Sequence, residues 1–174
     1  MESASRARKH SVARRLRKRC TSVEIGLASA AIVLGVAVYL LDRGGAVAFV
    51  PRSWGAVLPA RHVFGALGGS LPTFAHTFGF ALFFTALLRP SRPIAVAAIC
   101  GSWTLVEAVF EIGQLPRAAL ALQSWLGAAH ASAPMRAVLD YFASGTFSAA
   151  DLVSIALGGG LAYLVASRLR CGQA

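Results

Sequence analysis

Charge is scarce in this sequence: 14% of its 174 residues are charged, and only seven are Asp or Glu against seventeen Lys or Arg. With 56% hydrophobic residues, this composition excludes an ordinary soluble domain and fits a polytopic membrane protein. Cysteine is scarce too. Cys20, Cys100 and Cys171 have no metal-ligand spacing and imply no disulfide framework. No nucleophile motif, metal signature or phosphate loop occurs, so the sequence calls for no cofactor and no metal. Internal repeats are also missing, which disfavours a transporter, because four spans alone would have to associate with further copies to enclose a path.

The net charge of +10 would suggest nucleic acid if it were spread over a soluble surface, yet eight of the seventeen basic residues lie between Arg6 and Arg19. Residues 1–22 therefore read as a basic tail, disordered or laid along anionic headgroups. A nucleic-acid arm is the less favoured reading, since an apolar run follows at once.

That run, 23–41, is the first expected span. Ala46-Val47-Ala48 has the form of a signal-peptidase site, but the apolar stretch is longer than the usual signal core of about 7 to 15 residues, which favours an uncleaved anchor. A linker with Pro51, Trp54 and Pro59 follows, in which Val57, Leu58, Val63 and Phe64 could rest on the interface. Spans are then expected near 71–88, 94–114 and 151–167. The turn Arg89-Pro90-Ser91-Arg92-Pro93 makes the second and third antiparallel neighbours. In the connection 115–150, Pro134 should start an amphipathic helix with Met135, Val138, Leu139 and Phe142 on one face, ended by Gly145, and Leu120 to Leu126 a second surface segment. Gly158, Gly159 and Gly160 offer either close helix packing or a kink. The fold class expected is all-α: a polytopic transmembrane bundle of about four spans, with short interfacial helices in its outer connections.

The third span carries acid into the membrane. Glu107, Glu111 and Gln114 follow at helical spacing and share one stripe. Ionisable groups there cost of order 2.5 to 3.5 kcal/mol each, so they should face protein or a wet cavity. Twelve basic residues lie in the tail, the Arg89/Arg92 turn and the Arg168/Arg170 end, which predicts both termini in the cytoplasm. His76, Glu107, Glu111, Gln114 and Asp151 then all lie toward the outer face, and they are the candidate binding residues. His76 and Glu111 are expected to approach each other. For catalysis, Glu111 or Glu107 would be the general base and His76 the acid partner. The plainer reading is a hydrogen-bonded clasp that fixes helix register, with Asp151 only capping the fourth helix.

The pattern His76-x-x-x-Phe80, Glu111-x-x-Gln114, then Gly145-Thr146-Phe147 with Asp151 and Gly158, resembles the VanZ-like family of small bacterial membrane proteins over residues 71–167. The chain departs from it in carrying Pro72-Thr73 where many relatives have Asp-Lys, and Ile155 where they have Asn. The resemblance implies a bundle of four to five helices in the bacterial inner membrane. The family's namesake raises resistance to the glycopeptide teicoplanin. Partners implied are membrane lipids, with an envelope precursor or a glycopeptide as candidate ligand; self-association stays open. The functions weighed are an outer-leaflet envelope protein, an intramembrane acid/base enzyme on an envelope lipid, and a non-catalytic scaffold.

Overall fold

The computed structural model describes residues 2–43, 63–65, 67–126 and 132–171. The described residues form six helices: α1 (Glu2–Arg43), α2 (Leu67–Leu88), α3 (Pro93–Gly113), α4 (Pro116–Leu126), α5 (Ala133–Ser144) and α6 (Ala149–Cys171). Among them no strand occurs, and the architecture is all-α. Among the described residues four segments are long and apolar enough to cross a membrane: Arg19–Asp42, Leu67–Leu88, Pro93–Gly113 and Ala149–Arg170.

The side chains distribute as a lipid-facing bundle requires. Large apolar residues point outward, Val33, Ile94, Leu105 and Leu157 each being more than 60% exposed. The core is built from small residues: Ala28, Ala81, Ala162 and Ala166 are buried beside Leu82, Val96 and Cys100. Without a hydrophobic drive between helices in lipid, close backbone approach and van der Waals packing hold them together, and small residues permit that approach.

Helix α2 is central and packs most extensively on α1 and α6, while α3 closes against both α2 and α6. Gly79 of α2 faces Ala28 and Ile32 of α1, where a Cβ would come within 3.0 Å of the Ala28 carbonyl oxygen. On α6, adjacent glycines serve two neighbours. A Cβ at Gly158 would lie 2.7 Å from the Phe74 carbonyl oxygen on α2, and one at Gly159 would overlap the Thr104 hydroxyl of α3. Gly160 faces open space. Two of the three glycines therefore serve close packing rather than a kink, since α6 runs unbroken through them.

Several boundaries differ from the sequence reading. The basic segment does not stay disordered: α1 runs continuously from Glu2 into the first span. Arg, Lys, Ala and Leu are good helix formers, and an existing helix is extended without a new nucleus. α2 begins at Leu67, a turn before the expected position, because Gly68 is not linker but lies directly on the Asp42 carboxylate. Asp42 Oδ1 also accepts the Phe64 amide at 3.2 Å, tying the end of α1 to the entry of α2. Most of the expected interfacial run around Trp54, Val57 and Leu58 lies outside the described residues.

Between α2 and α3 the chain reverses through Arg89, whose φ of 50° is left-handed. Its amide bonds back to the Thr85 carbonyl at 3.0 Å, closing α2, and Pro93 opens α3 where a missing N–H costs nothing. The amphipathic helix expected after Pro134 is α5, ended at Gly145, with Leu139 and Phe142 buried and Met135 and Val138 exposed. Pro116 does not merely stop α3; it starts α4, which includes the anticipated Leu120 to Leu126 segment.

Candidate functional site

The C-terminal end of α3, the end of α5 and the start of α6 meet in one polar corner. Its centre is Glu111, 7% exposed, whose Oε1 accepts the backbone amide of Ser148 at 2.6 Å. One turn on, Gln114 Nε2 donates to the Tyr141 hydroxyl at 3.2 Å, and its side chain lies so close to Gly145 that any Cβ there would overlap it. Gly113 is pressed in the same way by the Phe142 ring. Rings of Phe110, Tyr141 and Phe142 cluster around this contact with centroids 5.4 to 6.1 Å apart. The short α5 is therefore held down on the end of the bundle by its buried face and by Gln114.

Ser148 is the N-cap of α6. Its carbonyl accepts the amides of Asp151 and Leu152, and its hydroxyl accepts the Asp151 amide at 3.3 Å. Ser-x-x-Asp is the sequence of a capping box, in which the carboxylate three residues into the helix ordinarily takes the N-cap amide. Here Glu111 has taken that amide from a different helix. Asp151, also 7% exposed, is left with Oδ1 buried and without a partner.

Of the five candidate residues, Glu111, Gln114 and Asp151 are brought together. His76 and Glu107 are not joined to them by any hydrogen bond or ion pair among the described residues. Because α2 begins at Leu67, His76 lies about 13 Å in from its start, whereas Glu111 and Asp151 each sit about 3 Å from a helix end. His76 is also turned toward α1, where a Cβ on Gly35 would come within 3.3 Å of its Cδ2 and Nε2. Its ring neighbours Phe80 at 6.3 Å, which in turn meets Trp103 at 5.0 Å. The expected approach of His76 to Glu111 is thus replaced by an aromatic seam along α2. Glu107 is half-buried and bonds to no described residue.

A second polar cluster, which the sequence reading did not single out, lies at the opposite end. Arg170 Nη2 donates to both oxygens of Glu24, at 2.9 and 3.1 Å, and to the Thr85 carbonyl at 3.0 Å. Its Nη1 donates to the Pro90 carbonyl at 2.6 Å. One guanidinium thereby joins α1, α2, the α2–α3 turn and α6. An acid in the first apolar run and a base closing the last were the available signals, though nothing in their spacing pairs them.

Among the described residues no group of three or more His, Cys, Asp or Glu side chains could hold a metal ion. A groove of about 310 Å³ between α2 and α3 is apolar and is lined by Phe84, Leu88, Ile99, Ser102, Trp103 and Val106. It contains none of the candidate acids. The chain matches no protein-family model, no curated protein and no solved structure.

Proposed function

We propose that this is a VanZ-like membrane protein whose polar corner, formed by Glu111, Gln114 and Asp151, faces outward and binds a component of the cell envelope. The observation that carries this reading is the convergence of the motif residues: Gln114 packs on Gly145, the first residue of Gly145-Thr146-Phe147, and Glu111 binds the amide of Ser148, the residue after that segment and three before Asp151. Residues far apart in the chain and shared with the family pattern thus build one place.

Orientation follows from charge. The Glu24, Pro90 and Arg170 cluster marks the end of the bundle that carries the Arg89/Arg92 turn and the Arg168/Arg170 terminus. By the positive-inside rule that end and both termini are cytoplasmic. The Glu111 corner, about 30 Å away along α3, is then at the outer face.

A binding role is favoured over acid/base catalysis because His76, the proposed acid partner, lies against α1 rather than beside Glu111. The test is a deletion strain scored for lipid profile and glycopeptide sensitivity, complemented with wild type and with Glu111→Ala present in the membrane at the same level. A shifted phenotype restored only by wild type supports the reading. An unchanged envelope in the deletion strain removes it.

A further inference from the structure

We infer that the Glu111–Asp151 corner is a receptor for a primary ammonium group, the headgroup of an aminophospholipid being the source the geometry favours. The inference rests on reading this corner as a binding site, and it adds the chemistry of the ligand.

The argument begins with the broken capping box. Asp151 stands at the third residue of α6, from which a capping carboxylate reaches back toward the N-cap amide. That amide is already bound to Glu111 Oε1. Glu111 and Asp151, from different helices, thus both meet Ser148, the first through its carboxylate and the second through its amide, and the Asp151 carboxylate accepts no hydrogen bond from any described residue. Its Oδ1 is fully buried. Nor does any basic side chain among the described residues pair with it, the Glu24–Arg170 bridge being at the other end of the bundle. A buried, unpaired acceptor in a native protein calls for a donor from outside the chain.

The missing partner is defined by what the corner presents. A buried carboxylate oxygen needs an N–H or O–H donor, and negative charge favours a cationic one. A quaternary ammonium has no N–H to give. A divalent metal would need a fuller set of oxygen ligands than the corner provides. The primary ammonium is compact and carries three donors. At that depth, about 3 Å inside the start of α6, phospholipid headgroups are the nearest abundant amines.

The test uses the purified full chain and native mass spectrometry in an equimolar mixture of phosphatidylethanolamine and phosphatidylcholine with identical acyl chains. Retention of the ethanolamine lipid should exceed that of the choline lipid about tenfold or more, the equivalent of one charge-assisted hydrogen bond. Through the mono- and dimethylated headgroups the preference should fall stepwise as N–H donors are lost. Asp151→Asn should abolish it while melting no lower than wild type, because its carboxylate bonds to no described residue. The methylation series keeps the test decisive even if that variant fails to fold.

Excess soluble ethanolamine separates the two sources. Displacement of the lipid would show that the site accepts any primary ammonium, and persistence of the lipid would show that the headgroup is required. Either result supports the inference. Equal retention of both lipids overturns it, whatever the deletion strain shows. A melting increase caused by magnesium, present in wild type and lost in Asp151→Asn, also overturns it by assigning the corner to a metal. Ethanolamine preference in a protein whose deletion leaves the envelope unchanged upholds the ligand and removes only the proposed envelope role.

Discussion

Arg170 and Glu24 form a bidentate contact through one guanidinium nitrogen, at 2.9 and 3.1 Å, with the Glu24 residue only 2% exposed. Breaking a buried pair from one side strands the other charge, at a cost of about 3–5 kcal/mol, whereas removing both is often near neutral. Arg170→Leu should therefore destabilise the bundle severely, and Glu24→Leu combined with Arg170→Leu should recover most of the loss. Recovery is incomplete because the Pro90 carbonyl loses the Arg170 donor and the Thr85 carbonyl keeps only the Arg89 amide. Thermal melting of the purified single and double variants measures this; simple additivity of the two single losses would sink the coupling.

The same pair makes α1 a structural part of the bundle. Cleavage after Ala48 would remove Glu24 and leave Arg170 inside without its carboxylate. The membrane-purified chain should therefore retain the first span, as intact mass would show. A product beginning near Phe49 would contradict this.

Neighbouring glycines on α6 should differ sharply. Gly158→Ala forces a Cβ against the α2 backbone at Phe74, an overpacking cost of about 1–3 kcal/mol. Gly160→Ala meets no atom within 4 Å and should melt like wild type or slightly higher. Equal effects would mean that α6 packs in another rotation.

The two glutamates of α3 should separate as well. Glu111→Ala leaves the Ser148 amide without its acceptor, costing about 1–3 kcal/mol. Glu107→Gln breaks no bond to a described residue and should stay within about 0.5 kcal/mol of wild type. A silent Glu111→Ala beside a damaging Glu107→Gln in the same melting assay would reverse the assignment.

Sidedness can be read from the native thiols. Cys20 is partly exposed at the basic end, whereas Cys100 is buried. In a Cys171→Ser background, an impermeant maleimide should label Cys20 only after the cytoplasmic face is opened. Labelling of intact cells would invert the topology.

How far the sequence could be read depended on whether the cause was local. The spans, α5 between Pro134 and Gly145, and the short α2–α3 turn follow from apolar length, Pro, Gly and the 3.6-residue period, all written within a few neighbours. Glu111 and Gln114 were legible because two polar side chains on one helical face, at membrane depth, are costly. Helix ends were less legible. Gly68, Gly69 and Ser70 have linker composition, but Gly68 is required where α2 touches Asp42. Rotation about each axis, which turns His76 to Gly35, depends on packing between helices and has no trace in spacing. The partnership of Glu24 with Arg170 is hidden for the same reason.

That partnership spans 146 residues, and the separation has a consequence for biosynthesis. Glu24 enters the bilayer with the first hydrophobic helix, while its counter-ion is translated with the last. Until α6 is inserted, the nascent chain must keep this carboxylate at the interface or in the company of the translocation machinery. The final helix thus completes the bundle: its glycines slot between α2 and α3, and its arginine neutralises the first acid of the first span. Ribosome-stalled chains lacking α6 should consequently remain sensitive to membrane quality-control proteases, and acquire resistance only when Arg170 has emerged.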